Sequence, residues 1–262
     1  MSDALVVRGL RVAYGRRAVV EDLDLAPLMP GTLTALVGPN AAGKSTLLRG
    51  IAGLVPGTRG SVRLGPRDLL ALPIPERARH LAYLPQGLPN GVSLSVLETL
   101  VGAQRAVPNP ALGEGDAAEA GLAVLRRLGI EELALRDLDR LSGGQRQLAG
   151  LAGALVRRPA VLLLDEPTSA LDLRHQLSVM DLVRRTVTEE GLIGVVVLHD
   201  LGLAARFADR VIALHAGAVQ AFGPPDAVLT PALLARVYEV RARVERCSRG
   251  TLLILADGPL EG

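Results

Sequence analysis

Gly38-Pro39-Asn40-Ala41-Ala42-Gly43-Lys44-Ser45-Thr46 is the stretch that decides the reading of this chain. The apolar run Leu33-Thr34-Ala35-Leu36-Val37 precedes it, and Leu47-Leu48-Arg49-Gly50-Ile51-Ala52-Gly53-Leu54 follows it. The first has the character of a buried strand, the second that of an amphipathic helix. Strand, glycine-rich turn, helix is the setting of a phosphate-binding loop. The glycines let the backbone curl so that successive N–H groups point inward, and the helix N-terminus adds a dipole favourable to anions. Lys44 is then expected to reach the terminal phosphates and the Ser45 hydroxyl to ligate magnesium. Lys44 is also the only lysine in a chain whose Lys plus Arg total 29. A compact ammonium suits a phosphate cradle that a planar guanidinium would not fit. The loop by itself predicts nucleotide binding, and it would serve a kinase or a GTPase equally well.

Bulk properties narrow the classes. With 262 residues, 49% of them hydrophobic, the chain is long enough for one large α/β domain or two small ones around a substantial core. The formal charge of +2 carries no footprint for a nucleic acid partner. A single cysteine, Cys247, excludes a disulfide framework within one chain, and no Cys or His cluster has zinc-ligand spacing. Residues 1–10 include Asp3 and lack a long apolar core, so no secretory signal is expected. Apolar runs such as 161–164 and 195–198 have strand length, far short of a membrane span. The expectation is a soluble chain, despite a mean hydropathy of +0.32. Work at a membrane would need another chain to supply the spanning helices.

Organisation follows from pattern. Residues 4–12 and 18–25 alternate as two strands, the first interrupted by Gly9, and 61–64 is a short strand after the turn at 56–60. Residues 80–84 read as one more strand, ending at Pro85-Gln86. Helical stretches are then expected at 93–103, 116–128 and 145–156, with an exposed loop at 108–115. Strands at 160–164, 194–198 and 210–214 alternate with helices at 174–190 and 201–207, which argues for a mostly parallel sheet. Thr230 and Pro231 open a short helix to Tyr238, and 240–255 reads as a peripheral ribbon.

Two further constellations carry chemistry. Val161-Leu162-Leu163-Leu164-Asp165-Glu166 is an apolar strand ending in carboxylates at the sheet edge that bears the phosphate loop. There Asp165 is expected to hold magnesium, through water, and Glu166 to polarise the water that attacks a γ-phosphate. His199 ends the apolar strand 194–198 and so belongs to the same edge. Leu141-Ser142-Gly143-Gly144-Gln145 opens a helix; physical chemistry leaves it as either an anion site or an ordinary cap. His80, His175 and His215 are read as ordinary core or surface side chains.

The phosphate loop, Leu-Ser-Gly-Gly-Gln, the strand with Asp-Glu, Ser169-Ala170-Leu171-Asp172 and His199-Asp200, in this order, resemble the ATPase subunit of an ABC transporter across roughly residues 4–225. The resemblance implies an α/β fold, an ABC-type ATPase whose mixed sheet joins antiparallel N-terminal strands to a mostly parallel core. It implies one domain: an α/β core over 1–85 and 159–225, a helical subdomain over 86–158 and a short C-terminal extension over 226–262. ATP and Mg2+ are the implied ligands. By the same resemblance Tyr14 stacks on adenine, in a chain with only three tyrosines, two phenylalanines and no tryptophan. Residues 38–46 wrap the phosphates, with Gly38, Pro39, Asn40, Ala41, Ala42, Gly43, Lys44, Ser45 and Thr46 all in contact. Gln86 senses magnesium and the attacking water. Ser142, Gly143, Gly144 and Gln145 bind the γ-phosphate held by a second copy of the chain, and Asp172 crosses between copies. Glu166 is the general base and His199 contacts the γ-phosphate and positions it; Ser45, Gln86 and Asp165 serve the metal. Ala41 stands where the family commonly has glycine, and an ordinary negative φ is expected there. Leu148 and Gly153 make the helix after Gln145 more apolar than is usual in the family.

Within the family, Asp172-Leu173-Arg174-His175-Gln176, the run from His199 to Arg210, and Gly223-Pro224-Pro225-Asp226 followed by Leu229-Thr230-Pro231 and Val237-Tyr238 resemble importers of iron-siderophore, haem and cobalamin type. The implied partners are transmembrane permease subunits, a second ATPase chain and, indirectly, a substrate-binding protein, with the ATPase on the cytoplasmic face of the membrane. The alternatives are an importer of another solute, an exporter's ATPase domain, or a non-transport ABC ATPase: one acting on nucleic acid, or an iron–sulfur assembly scaffold.

Overall fold

The computed structural model describes residues 3–87, 94–107, 116–169 and 171–260. β1 (Leu5–Tyr14) and β2 (Arg17–Leu28) form a hairpin, and β3 (Thr32–Val37) leads through the phosphate loop into α1 (Lys44–Ile51). β4 (Arg59–Leu64), β5 (Arg67–Asp68), α2 (Ile74–His80) and β6 (Leu81–Leu84) follow. Three helices come next: α3 (Val96–Ala106), α4 (Ala117–Arg127) and α5 (Gly143–Leu155). Strands and helices then alternate as β7 (Val161–Asp165), α6 (Leu173–Glu190), β8 (Ile193–Val197), α7 (Leu201–Phe207) and β9 (Arg210–His215). The chain ends with β10 (Ala218–Gly223), α8 (Pro225–Val228), α9 (Pro231–Tyr238), β11 (Val240–Arg246) and β12 (Leu252–Pro259).

Six strands in the order β10-β9-β3-β8-β7-β6 form the central sheet, parallel from β9 to β6 with β10 antiparallel at the edge. Both faces are covered, which is why β3, β7 and β8 read as nearly continuous apolar runs. Alternation along each strand divides its side chains between two cores. Leu36, Leu163, Val195 and Val197 face α1 and the antiparallel sheet β2-β1-β4-β5. Ala35, Val37, Leu162, Leu164 and Val196 face the layer that contains α5, α6 and α7. α1 thus lies between two sheets, packed so closely that a Cβ on Gly50 would stand 2.3 Å from Val12 Cγ2. A third cluster, with Val96, Leu100, Leu125, Leu141 and Ala152, joins α3, α4 and α5.

Capping sets the helix ends. Ser95 caps α3 with a reciprocal bond from Glu98, so this helix starts at Val96 rather than at 93, which lies outside the described residues. Asp116 caps α4 and Thr230 caps α9, whose first residue is Pro231. The short helix α2, with proline at its first turn, was not read from the sequence. The loop expected at 108–115 lies outside the described residues. Among the described residues no helix is long and apolar enough to cross a membrane.

Candidate active site

The phosphate loop connects the end of β3 to α1, at the carboxyl edge of the parallel strands. Gly38 has φ +155°, and a Cβ there would come within 2.1 Å of the Leu214 carbonyl oxygen on β9, so no other residue fits. Gly43 is the N-cap of α1, with φ +98° and no side-chain cap bond. Ala41 corrects the sequence expectation: its φ is +62°, not negative. The loop is tied on both sides, by Ala42 N–H to the Pro39 carbonyl and Gly217 N–H to the Ala42 carbonyl, and between those ties Ala41 adopts the left-handed region. For a residue with a Cβ that conformation costs on the order of 1 kcal/mol.

Lys44 is 5% exposed, and its Nζ donates to the Gly38 and Pro39 carbonyls, each at 2.8 Å. Burial holds its pKa below the usual lysine range, opposed by the charges of Glu166 and Asp165. Asp165, the last residue of β7, is fully buried, and both of its oxygens are occupied. Ser45 Oγ donates to Oδ1 at 2.8 Å and the Tyr83 hydroxyl to Oδ2 at 2.9 Å, while Arg49 Nε donates to Tyr83 at 3.1 Å. Burial first, with the Asp165 charge assisting, pushes the Tyr83 phenol up to about 12, so it stays a proton donor at working pH. The bond to Tyr83 chiefly, with a lesser contribution from Tyr14, raises the pKa of Arg49.

Strand register explains the next contact. β6 pairs Leu84 with Leu164, and β8 pairs Val197 with Asp165, so residues just past these three strand ends stand side by side. Gln86 Nε2 donates to Glu166 Oε2 at 2.6 Å, and His199 Nε2 lies 2.6 Å from Glu166 Oε1. A carboxylate can only accept, so the proton of that pair sits on His199 Nε2. Glu166 itself has φ +53°, a strained position for a non-glycine residue, where a strand turns sharply into a loop. A cavity of about 300 Å3 is lined by residues 40–46 together with Glu166, His199, Arg17 and Val19. Arg17 and Val19 on β2, and Tyr83 on β6, were missed by sequence reasoning. Tyr83 could have been suspected from its place three residues before Gln86, on a strand entering the same edge.

Other predicted residues are not brought to this cavity. Tyr14 is 48% exposed at the end of β1, outside the residues that line it. Ser142, Gly143, Gly144 and Gln145 also lie outside the lining, and form a capping box on α5. Ser142 Oγ accepts from Gln145 N–H while Gln145 Oε1 accepts from Ser142 N–H. Ser142 and Gly143 are exposed; a Cβ on Gly144 would stand 2.8 Å from Leu171 Cδ2. Asp172 caps α6 and pairs with His175 Nδ1 at 2.8 Å, contacts that hold its carboxyl below the usual range. His175 therefore has a partner that its bland sequence reading did not foresee. Gln176 donates to the Thr168 and Leu171 carbonyls and anchors the segment between Glu166 and α6.

The donor set suits a hard divalent cation beside a phosphate: Ser45, at the start of α1, and Asp165 present adjoining oxygens. Among the described residues no group of three or more His, Cys, Asp or Glu side chains could hold a metal alone. A cation here would complete its shell with water and substrate oxygens, as magnesium does.

Comparison with known proteins gives the family. The family described as ABC transporter matches residues 22–169. The hemin import ATP-binding protein HmuV of Rhodopseudomonas palustris (strain BisB5) is 42% identical over 97% of this chain and 98% of its own. The achromobactin transport ATP-binding protein CbrD of Dickeya dadantii is 37% identical over 92% of this chain and 90% of its own. Among solved structures, a metal-chelate type ABC transporter in an inward-facing conformation matches with a TM-score of 0.79 and 25% identity, covering 99% of this chain and 98% of that one. The chain belongs to the ABC transporter family. It binds ATP and is an ATPase of that family.

Proposed function

We propose that this chain is the ATPase subunit of a membrane importer of a metal chelate, haem or a siderophore complex. In this reading it works as a homodimer beneath transmembrane permease subunits at the cytoplasmic face, fed indirectly by a substrate-binding protein. The names of the relatives support the cargo. The hold on Glu166, gripped at both oxygens beside the phosphate loop, carries the ATPase mechanism.

Lys44 satisfies its buried ammonium with two loop carbonyls and keeps a third N–H for phosphate oxygen. The loop amides and the α1 N-terminus neutralise the remaining phosphate charge. Ser45 and Asp165 would hold Mg2+, whose charge would offset the negative charge that develops on the phosphates. Glu166 accepts the proton of the attacking water; each of its oxygens retains a lone pair beyond the bonds from Gln86 and His199. His199 keeps the carboxylate aimed and presents its imidazole to the γ-phosphate. Gln86 reports the state of Glu166 to the segment that follows β6. Ser142 and its glycines, with Ser142 and Gly143 exposed and all three outside the lining of their own chain's cavity, cover the γ-phosphate held by the partner copy. One chain therefore binds ATP but hydrolyses it poorly.

The test is Glu166→Gln. ATP binding should persist within a few-fold while turnover falls by about 10²–10⁴, the usual contribution of a general base. Normal turnover in this variant would remove Glu166 from the role. Purification with a multi-spanning permease, and haem uptake by vesicles carrying both, would separate import from the non-transport alternatives.

A further inference from the structure

The structure assigns a role to a residue outside the motifs: Tyr83, held by Arg49, is a positioning residue that fixes the Asp165 carboxylate for the metal. This rests on the proposed assignment of Asp165 to Mg2+.

The contacts form one chain of donors. Arg49 Nε–H donates to the Tyr83 oxygen at 3.1 Å, the Tyr83 hydroxyl donates to Asp165 Oδ2 at 2.9 Å, and the Ser45 hydroxyl donates to Asp165 Oδ1 at 2.8 Å. Each link has a defined direction, because a guanidinium can only donate and a carboxylate can only accept. Asp165 is wholly buried, so a missing partner at Oδ2 would not be replaced freely by solvent. With Oδ2 occupied by Tyr83, the carboxylate plane cannot rotate without breaking a partly buried bond. Oδ1 then stays on the side of Ser45, where the proposed metal and phosphates meet.

The anchor comes from an element of the substrate loop itself. Arg49 lies on α1, about 1.4 turns past Lys44, so the helix that carries the phosphate ligands also steadies the opposite strand. β6 delivers a second bond to the same edge: Tyr83 reaches Asp165, and three residues later Gln86 reaches Glu166. The two neighbouring acids are thus gripped from one strand end, Asp165 through a half-buried phenol and Glu166 through an exposed amide. A shift of the β6 end would loosen both together, which gives the segment after β6 a hold on metal binding as well as on the base. Outer partners of this kind typically affect metal affinity by 10–100-fold.

The experiment measures Kd for a non-hydrolysable ATP analogue in EDTA and in saturating Mg2+, and Mn2+ affinity of the analogue complex by electron paramagnetic resonance. Tyr83→Phe should lower Mn2+ affinity by about tenfold and shrink the Mg2+ enhancement of nucleotide binding correspondingly, with Kd in EDTA within twofold of the parent. Arg49→Ala should act in the same direction more weakly, and Arg49→Lys, which restores a cationic donor, should recover most of the loss. Asp165→Asn is the reference and should lose more than Tyr83→Phe. Parent-like metal affinity in Tyr83→Phe, with Asp165→Asn impaired, overturns the positioning role alone. Unchanged metal affinity in Asp165→Asn overturns the underlying metal assignment. A loss in Tyr83→Phe that is equal with and without metal marks a general structural defect and also overturns the inference.

Discussion

The two ends of the parallel strands β3, β7 and β8 carry cavities of unequal size and opposite character. At the carboxyl ends lies the cavity of about 300 Å3 with Lys44, Ser45, Glu166 and His199. At the amino ends, between the sheet and α4, lies one of about 780 Å3, whose lining includes Pro30, His80, Arg127, Arg158, Glu190 and Leu192. In the larger one, charge is spent on packing elements together: Arg127 binds Glu190 and Thr186 and so ties α4 to α6. Beside the smaller one, side chains from three separate segments, Ser45 on α1, Tyr83 and Gln86 at the end of β6 and His199 past β8, converge on the carboxylates of Asp165 and Glu166. Volume therefore does not mark the site. The carboxyl end is favoured because the strand-to-helix connections open there and a helix N-terminus faces into the opening.

This contrast can be broken by showing that either end does the other's work. The largest effect is expected from Lys44→Ala. Loss of charge-assisted bonds to phosphate should weaken ATP binding by about 2–3 kcal/mol, or about 30- to 160-fold in Kd by calorimetry, while the circular dichroism spectrum stays native. Unchanged affinity would contradict the phosphate-loop reading. A much smaller effect, on stability alone, is expected from His80→Gln at the other end. Burial first, then Arg67, lowers the His80 pKa below its ordinary 6.5. Between the folded value and 6.5 the unfolded chain binds the extra proton, so stability rises with pH through that window and is lost as pH falls below 6.5. His80→Gln should flatten this acid-side slope, read as urea midpoints at stepped pH, and leave ATP affinity unaltered. An unchanged slope would contradict the burial argument; altered ATP binding would mean the two ends are not separate.

Much of the site was legible because the central strands announce themselves. Val161-Leu162-Leu163-Leu164 and the run ending at Leu198 are apolar on both faces, so the polar residues that end them, Asp165, Glu166 and His199, had to emerge at one edge. What could not be read was conformation that depends on distant chain. Ala41 takes a positive φ because Gly217, far along the sequence, ties Ala42 in place. Glu166 at φ +53° has no local signature either. Tyr83 looked like one more apolar strand residue until β6 was paired with β7, a register that only the folded sheet determines. Helix ends moved by one to three residues where caps such as Ser95, Asp116 and Ser142 set the first turn.

The central claim is that the nucleotide site is completed by a second copy of the chain. Light scattering of Glu166→Gln, with and without ATP and Mg2+, tests it most directly. ATP should double the mass of this variant. Adding Ser142→Arg, on the exposed turn proposed to face the partner, should keep the protein at single mass although ATP still binds. A Glu166→Gln chain that stays single at saturating ATP, together with a parent chain that hydrolyses ATP at full rate while single, would contradict it.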